Sequence, residues 1–535
     1  MLKKIALLEI FLVVLSSYVA SVMYGYFHEI PATSITPWLI WQALLGANID
    51  GKFTIAAGVG GIFFCGANYL FAVSPKALYG NAHFANYNEL SKGGYFAGKG
   101  ILLGRAFGKY LWTNDYGHTL ITAPTRSGKG VGFVIPNLFT WGGSAIVLDL
   151  KGENFRITSG FRAKKGHRVI RLSPFDTEMK SHCFNPFDQV RFGTPYMASD
   201  LDKLAHVLMP DPIRETADSM WNKEARHLFI AIVSYLDFMS KDRSDVTMGA
   251  VYRLIHSGNN LATELNRKSK EEGLPEDIAM TFRSFIGKAD KEQSGVKTSL
   301  NAAINSWAQP LVDAITKRSD FQFSDLRKHP TTIYICARFD ELAQLSGFIR
   351  MMFQLAISET ASQEFNEKQE HEILMLIDEF PSLGRMGILE RRISDLAGFG
   401  IRLMLIVQNI AQMSIIYGEA AKIFTANCHV RAFFAPDDQD TLEMLSKSLG
   451  DRTIKKKSRS RESHGGNPFG NVTVNTSEER RPLMYPHEIK MLPADQLLIL
   501  RRNQSPVKAQ RITYYKNKTF KSLPAAPVEV PALKV

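Results

Sequence analysis

Cysteine is scarce in this chain and nowhere clustered. The 535-residue sequence has 4 cysteines, at 65, 183, 336 and 428, with no Cys-x-x-Cys pair. No disulfide framework or zinc site is readable, which fits a reducing compartment. Strand-like runs are missing between residues 195 and 328, and no catalytic constellation shows there. Charge is unbalanced: the net value is +12 and the pI is near 9.3. That excess suits phosphate backbones or anionic lipid without choosing between them. Hydrophobic content of 45% and charged content of 22% are ordinary for globular protein. The chain is too long for a single core, so two or more soluble domains are expected.

The stretch that organises the rest is Ala123-Pro124-Thr125-Arg126-Ser127-Gly128-Lys129-Gly130. It follows a short apolar run, Thr119 to Thr122, and precedes a helix-like run from Val131. Strand, tight loop, Lys and helix is the layout of a phosphate-binding P-loop. Backbone N–H groups and a helix N-terminus converge on one anion, and Lys adds a point charge. Two residues depart from the usual pattern: Ala123 replaces the first Gly, and Gly130 replaces the Ser/Thr whose hydroxyl ligates Mg²⁺. A solvated turn is the bland alternative.

A second stretch strengthens the first. Ile373 to Ile377 is wholly apolar and ends in Asp378-Glu379. Such a run reads as a buried strand of a parallel sheet. Asp378 is the candidate Mg²⁺ ligand, and Glu379 the candidate group polarising an attacking water. Ser144 to Asp149 is a further buried-strand pattern, with Asp149 where ligands of open α/β sheets collect; an ordinary strand-end turn explains it equally well. Arg402 to Val407 is another strand, tipped by Gln408. Gln408 is read as sensing the terminal phosphate or orienting water, against the alternative of capping the next helix. Arg385, Arg391 and Arg392 are candidates for a charge donated to a neighbour's phosphates.

The remaining organisation follows from pattern changes. Residues 5–27, apart from Glu9, and 53–73 are each apolar over about 20 residues, enough for two membrane spans. Lys3 and Lys4 precede the first and Lys76 follows the second, which puts both termini in the cytoplasm. Tyr18 and Val19 before Ala20 make a poor signal-peptide cleavage site. Residues 76–194 and 329–521 read as the two halves of a nucleotide-binding α/β domain, with residues 75–109 as a crossing segment. Residues 195–328 read as an inserted all-α domain, including one long helix over 278–307. Lys455-Lys456-Lys457 and Arg459, then Gly465 to Pro468, suggest a basic ribbon with a flexible tip, suited to polyanions. Residues 522–535 are Pro-rich and expected to be disordered.

Taken together the chain resembles the type IV secretion coupling proteins, the TraG-type conjugative ATPases. The residues that carry this are APTRSGKGVGFVIPNL from Ala123, AIVLDLKGE from Ala145, LIDEFPSLGRM from Leu376, LAGFGIRLMLIVQNIAQM from Leu396 and RPLMYPHEI from Arg481. The resemblance implies a RecA-like P-loop motor domain with an all-α insertion, behind the two-helix membrane hairpin. It implies a homo-hexamer in the bacterial inner membrane that binds ATP and Mg²⁺. It implies cargo as well: a relaxase–DNA complex, protein effectors or both, passed to type IV secretion channel subunits. Lys129 matches the P-loop lysine, Asp378 and Glu379 the strand carboxylates, and Gln408 the sensor glutamine. The family's trans arginine has no clean match, since Ala397 and Gly398 stand where a basic residue is expected. The competing reading is a membrane adaptor that senses nucleotide without hydrolysing it, for which Gly130 is the best support.

Overall fold

The computed structural model describes the whole chain except residues 1, 47–48, 73–77, 116, 212–216, 259, 368–369, 462–471 and 535. Two compact units result. One comprises residues 1–81 with 453–479, the other residues 82–452 with 480–535.

In the larger unit, apolar runs with no polar face become central strands, because a strand without a polar face must be covered on both sides. In chain order the strands begin with β1 (Ile101–Ala106), β2 (Lys109–Thr113), β3 (Thr119–Thr122), β4 (Ser144–Asp149) and β5 (Arg168–Leu172). They continue with β6 (Thr331–Cys336), β7 (Ile373–Ile377), β8 (Ile401–Val407) and β9 (Val430–Phe433). After β10 (Asp451–Arg461) and β11 (Val472–Pro482) come β12 (Gln496–Arg501) and β13 (Val507–Gln510). Eleven strands form one sheet in the order β2-β1-β13-β12-β9-β3-β8-β7-β4-β6-β5. From β9 to β5 every pairing is parallel; from β2 to β12 the pairings are antiparallel, as is that of β12 with β9.

Alternation along each strand sends side chains to opposite faces. Ile146, Leu148, Met375, Ile377, Leu403 and Leu405 enter one apolar cluster, and Ala145, Val147, Leu374, Leu376, Met404 and Ile406 the other. The first cluster continues into the helices between β5 and β6. That region is helical throughout its described elements, from Met197–Leu208 to Asp325–Lys328. It shares the sheet's core rather than building a separate one.

Several expectations need correction. The helix expected over 278–307 is two, Glu276–Ile286 and Asp290–Ile304. The break is stabilised by Gln293, whose side-chain amide donates to the Ile286 and Lys288 carbonyls. The segment taken as a crossing contains a helix, Tyr87–Lys92, with a capping box between Asn86 and Glu89. It also contains β1, which turns into β2 through Phe107 (φ 51°) and Gly108 (φ 76°). Two left-handed residues give the twist a tight hairpin needs. The Pro-rich tail is not disordered. Val528 and Val530 pack against the core, and Leu533 is buried. Ser181 N–H donates to the Pro531 carbonyl at 3.0 Å, and Leu533 N–H to the Met179 carbonyl at 2.7 Å. A Cβ on Gly160 would run into the Ala526 carbonyl. Proline denies the tail a strand ladder of its own, but its apolar side chains still find a surface to bury against.

In the smaller unit, Leu2–Phe27 and Gly51–Ala72 are helices packed on one another. Their close approach lies at Gly60, where a Cβ would stand 2.8 Å from Ala20 Cβ and 2.9 Å from the Ser16 carbonyl. Small residues on facing helices let backbones approach in this way. Two spans were expected. Among the described residues only Ile10–Phe27 is long and apolar enough to cross a membrane, and the apolar stretch Gly51–Cys65 is shorter. Val73, where the second span was expected to end, lies outside the described residues, as does the ribbon tip at 465–468. β10 and β11 pair with each other in a separate two-stranded sheet, as a basic ribbon requires.

Candidate nucleotide site

In the sheet β3 lies beside β8, β8 beside β7, and β7 beside β4. All four run parallel, so the residues that follow them meet at one edge. Those residues are the loop 123–130, Gln408, Asp378-Glu379 and Asp149 itself. The predicted site residues come from sequence positions far apart; parallel pairing is what gathers them.

The loop is anchored at its start. Ala123 N–H donates to the Val407 carbonyl at 2.9 Å, and Ala123 is fully buried. Its φ is not positive, so a methyl group is tolerated where the usual pattern has Gly. Arg126 (φ 61°) and Gly128 (φ 80°) take the left-handed conformation that closes the turn. After Lys129 the backbone winds as a wide π turn over Gly130–Val134, then as an α-helix over Ile135–Thr140. Such turns recur at functional sites.

Lys129 points at the carboxylates. Its Nζ is 2.8 Å from Asp378 Oδ1 and 3.1 Å from Glu379 Oε2. Burial pulls the ammonium's pKa down, but the two acids outweigh it and hold it above the usual lysine value. Glu379 is buried and left-handed, with φ 67°. A non-glycine residue held there is locally strained, and such strain gathers at functional sites. The other oxygen of Glu379 accepts from Gln408 Nε2 at 3.0 Å. The next helix, Ile410–Tyr417, is capped instead by Asn409, which accepts from Gln412 N–H at 2.9 Å. The capping reading of Gln408 therefore fails.

Asp149 is buried, and Oδ2 accepts from Phe155 N–H at 2.8 Å at the start of helix Glu153–Lys164. Burial pushes its pKa up to about 6, the N–H donors of Phe155, Asn154 and Lys151 hold it partly down, and the Asp378 charge adds to the rise. It secures the helix that leaves the site.

A family comparison fits this arrangement. Residues 82–533 match the family described as Type IV secretory system Conjugative DNA transfer. The chain belongs to this family. The chain is 31% identical to Protein VirD4 of Agrobacterium fabrum over 86% of its own length and 71% of that protein's. It is 31% identical to the conjugal transfer protein TraG of Escherichia coli over 72% of its own length, spanning 63% of that relative. The conjugative coupling protein TrwB, solved with the non-hydrolysable ATP analogue ADPNP, superposes with a TM-score of 0.62 at 18% identity. That match covers 86% of this chain and 98% of that one, and shows a shared fold.

The candidate arginines of this chain do not converge on its own loop. Arg385 is paired with Glu390 at 2.8 Å, and Arg392 lies over the Phe399 ring. Arg391 stands near Gly387. One arginine at the loop was not foreseen: Arg511, just past β13, donates through Nη1 to the Ser127 carbonyl. No local pattern marks it, because only the antiparallel return of β12 and β13 along the sheet brings it there.

Proposed function

We propose that the chain is an inner-membrane hexameric ATPase that recruits relaxase–DNA, protein effectors or both, and delivers them to a type IV secretion channel. The observation that carries the reading is the contact of Lys129 with Asp378 and Glu379, and of Glu379 with Gln408, at one sheet edge. The names of the relatives, conjugal transfer proteins among them, point to the transport task.

Each side chain then has a part. ATP phosphates draw the Lys129 ammonium away from the carboxylates and replace two partial partners with a larger negative charge. Glu379, released on one oxygen and held by Gln408 on the other, keeps its orientation toward an attacking water. Gln408 thus positions the base as well as standing at the terminal phosphate. Pre-aimed charge and positioned water account for most of the rate in this class of reaction.

Asp378 offers the hard oxygen donor that Mg²⁺ prefers. Among the described residues no three His, Cys, Asp or Glu side chains gather to cage a metal. Mg²⁺ is commonly held by one or two carboxylates, substrate phosphates and water, and Asp378 supplies such a carboxylate. Asp378 and water would complete the shell that Gly130 leaves short of a hydroxyl. When bound, the ion neutralises charge on the outer phosphate oxygens. TrwB is reported in complex with ADP and Mg²⁺.

For the membrane part we read both Leu2–Phe27 and Gly51–Ala72 as spans, with both termini cytoplasmic. The helices are 26 and 22 residues long, against the roughly 20 a span needs, and only the first also has a full-length apolar stretch among the described residues. Reporter fusions after residue 80 and in the loop before Gly51 test this, with the cytoplasmic signal expected only for the first.

Steady-state hydrolysis by the full chain in lipid nanodiscs, with and without single-stranded DNA, tests the central reading. Turnover that rises with DNA and vanishes in Lys129→Ala is expected. Tight ATP binding with no turnover under any condition supports the adaptor instead.

A further inference from the structure

Arg511 follows β13, far in sequence from the P-loop, yet lies against it. Its Nη1 donates to the carbonyl of Ser127. Its aliphatic part crosses Gly132, where a Cβ would stand 2.6 Å from both Cγ and Cδ. A Cβ on Gly128 would run into the guanidinium itself. Gly128 is left-handed and needs no other reason to be glycine. Gly132 has no positive φ, so the room it leaves for Arg511 and the neighbouring Ile512 carbonyl is the reason visible at that position. Two further bonds fix the approach: Arg511 N–H donates to the Asp495 carbonyl at 2.6 Å, and Tyr514 N–H to the Val131 carbonyl at 3.2 Å. Arg511 Nε is buried and finds no acceptor among the described residues. The guanidinium is therefore held at this place with part of its hydrogen-bonding capacity unused, which costs free energy unless something is gained.

The gain follows from peptide geometry. In a planar trans peptide, the carbonyl of one residue and the N–H of the next point in opposite directions. A cation that grips the Ser127 carbonyl from one side directs the Gly128 N–H to the other. The same contact polarises that peptide and makes its N–H a stronger donor.

We propose that Arg511 is a positioning residue for the nucleotide. It acts through the Ser127–Gly128 peptide, holding the P-loop from behind in its anion-binding shape and coupling the C-terminal strand to the site. It does not touch the phosphates. Because a P-loop holds phosphates that ATP and ADP share, its effect belongs to binding rather than to the chemical step. The inference rests on the ATPase reading above.

The test measures ATP and ADP affinity, KM, kcat and thermal unfolding for the full chain and three variants. Arg511→Ala weakens both nucleotides and raises KM by about tenfold, the size of one lost charge-assisted hydrogen bond, with kcat within about twofold. Arg511→Lys, which keeps the charge and can still donate to the carbonyl, recovers to within about threefold of the wild type. Gly132→Ala, which leaves the charge and displaces the side chain, raises KM in the same direction. Unchanged KM in Arg511→Ala overturns the inference while wild-type turnover leaves the ATPase reading intact. So does an equal loss of unfolding midpoint in the Ala and Lys variants without any recovery of affinity. A wild-type chain that binds no nucleotide overturns the ATPase reading, and this inference with it.

Discussion

Glu379 is shared between two partners. Gln408 holds Oε1 at 3.0 Å and Lys129 holds Oε2 at 3.1 Å. One carboxylate thus links the tip of β8 to the P-loop. Substitution at either end acts on the other, and effects at these three positions will not add.

Lys129→Ala removes the shared cation. Lys129 itself belongs to neither of the two core clusters, so the fold is expected to survive. In the proposed role this charge serves the transferring phosphoryl group, so ATP turnover should fall by about a hundredfold or more. Phosphate release and circular dichroism on the same sample check both halves.

Gln408→Ala frees one oxygen of Glu379, and Gln408→Glu sets a like charge against it. Both should lower kcat, by about tenfold for Ala and more for Glu, with little change in KM. A rise in KM alone would mean that Gln408 binds substrate without orienting the base.

Asp149 gives a pH signature. Its pKa is about 6 in the folded chain against 3.8 for the free group. A raised carboxyl pKa means that the folded state holds more protons between those values. Its contribution to stability is therefore full below about 4 and is lost as pH rises through about 6, by roughly 3 kcal/mol in all. Asp149→Asn should abolish this slope, so the variant gains on the wild type between pH 4 and pH 7. Unfolding midpoints at four pH values across that range read the difference.

Gly160→Val should strip the tail from the body. The new side chain would occupy the place of the Ala526 carbonyl, while the helix Glu153–Lys164 has no other reason to change. Limited proteolysis is expected to cleave near residues 520–530 in the variant and to spare the wild type. A valine variant with the wild-type cleavage pattern would show that the tail contact is not needed to protect it.

Local pattern alone marked the central parallel strands β3 to β8 as buried runs and showed what stands at their ends. Ile373 to Ile377 has no polar face, and a chain cannot expose such a strand. Gly128 and Lys129 in a tight turn likewise have the pattern of an anion site, because phosphate recognition uses backbone and charge that short segments carry themselves. What short segments do not carry is the order of strands. Pairing in space put β8 between β3 and β7, and so set Gln408 against Glu379. It brought Arg511 behind the P-loop, and it gave the Pro-rich tail a surface to lie on. The hairpin of β1 and β2 escaped notice for a related reason: Phe107-Gly108 is no usual turn signal, and the neighbouring strand β13 supplies the edge to which the hairpin adds. Sequence determines what each segment can bury or bind on its own. Tertiary structure decides which segments share an edge, because hydrogen bonds between strands join residues hundreds of positions apart.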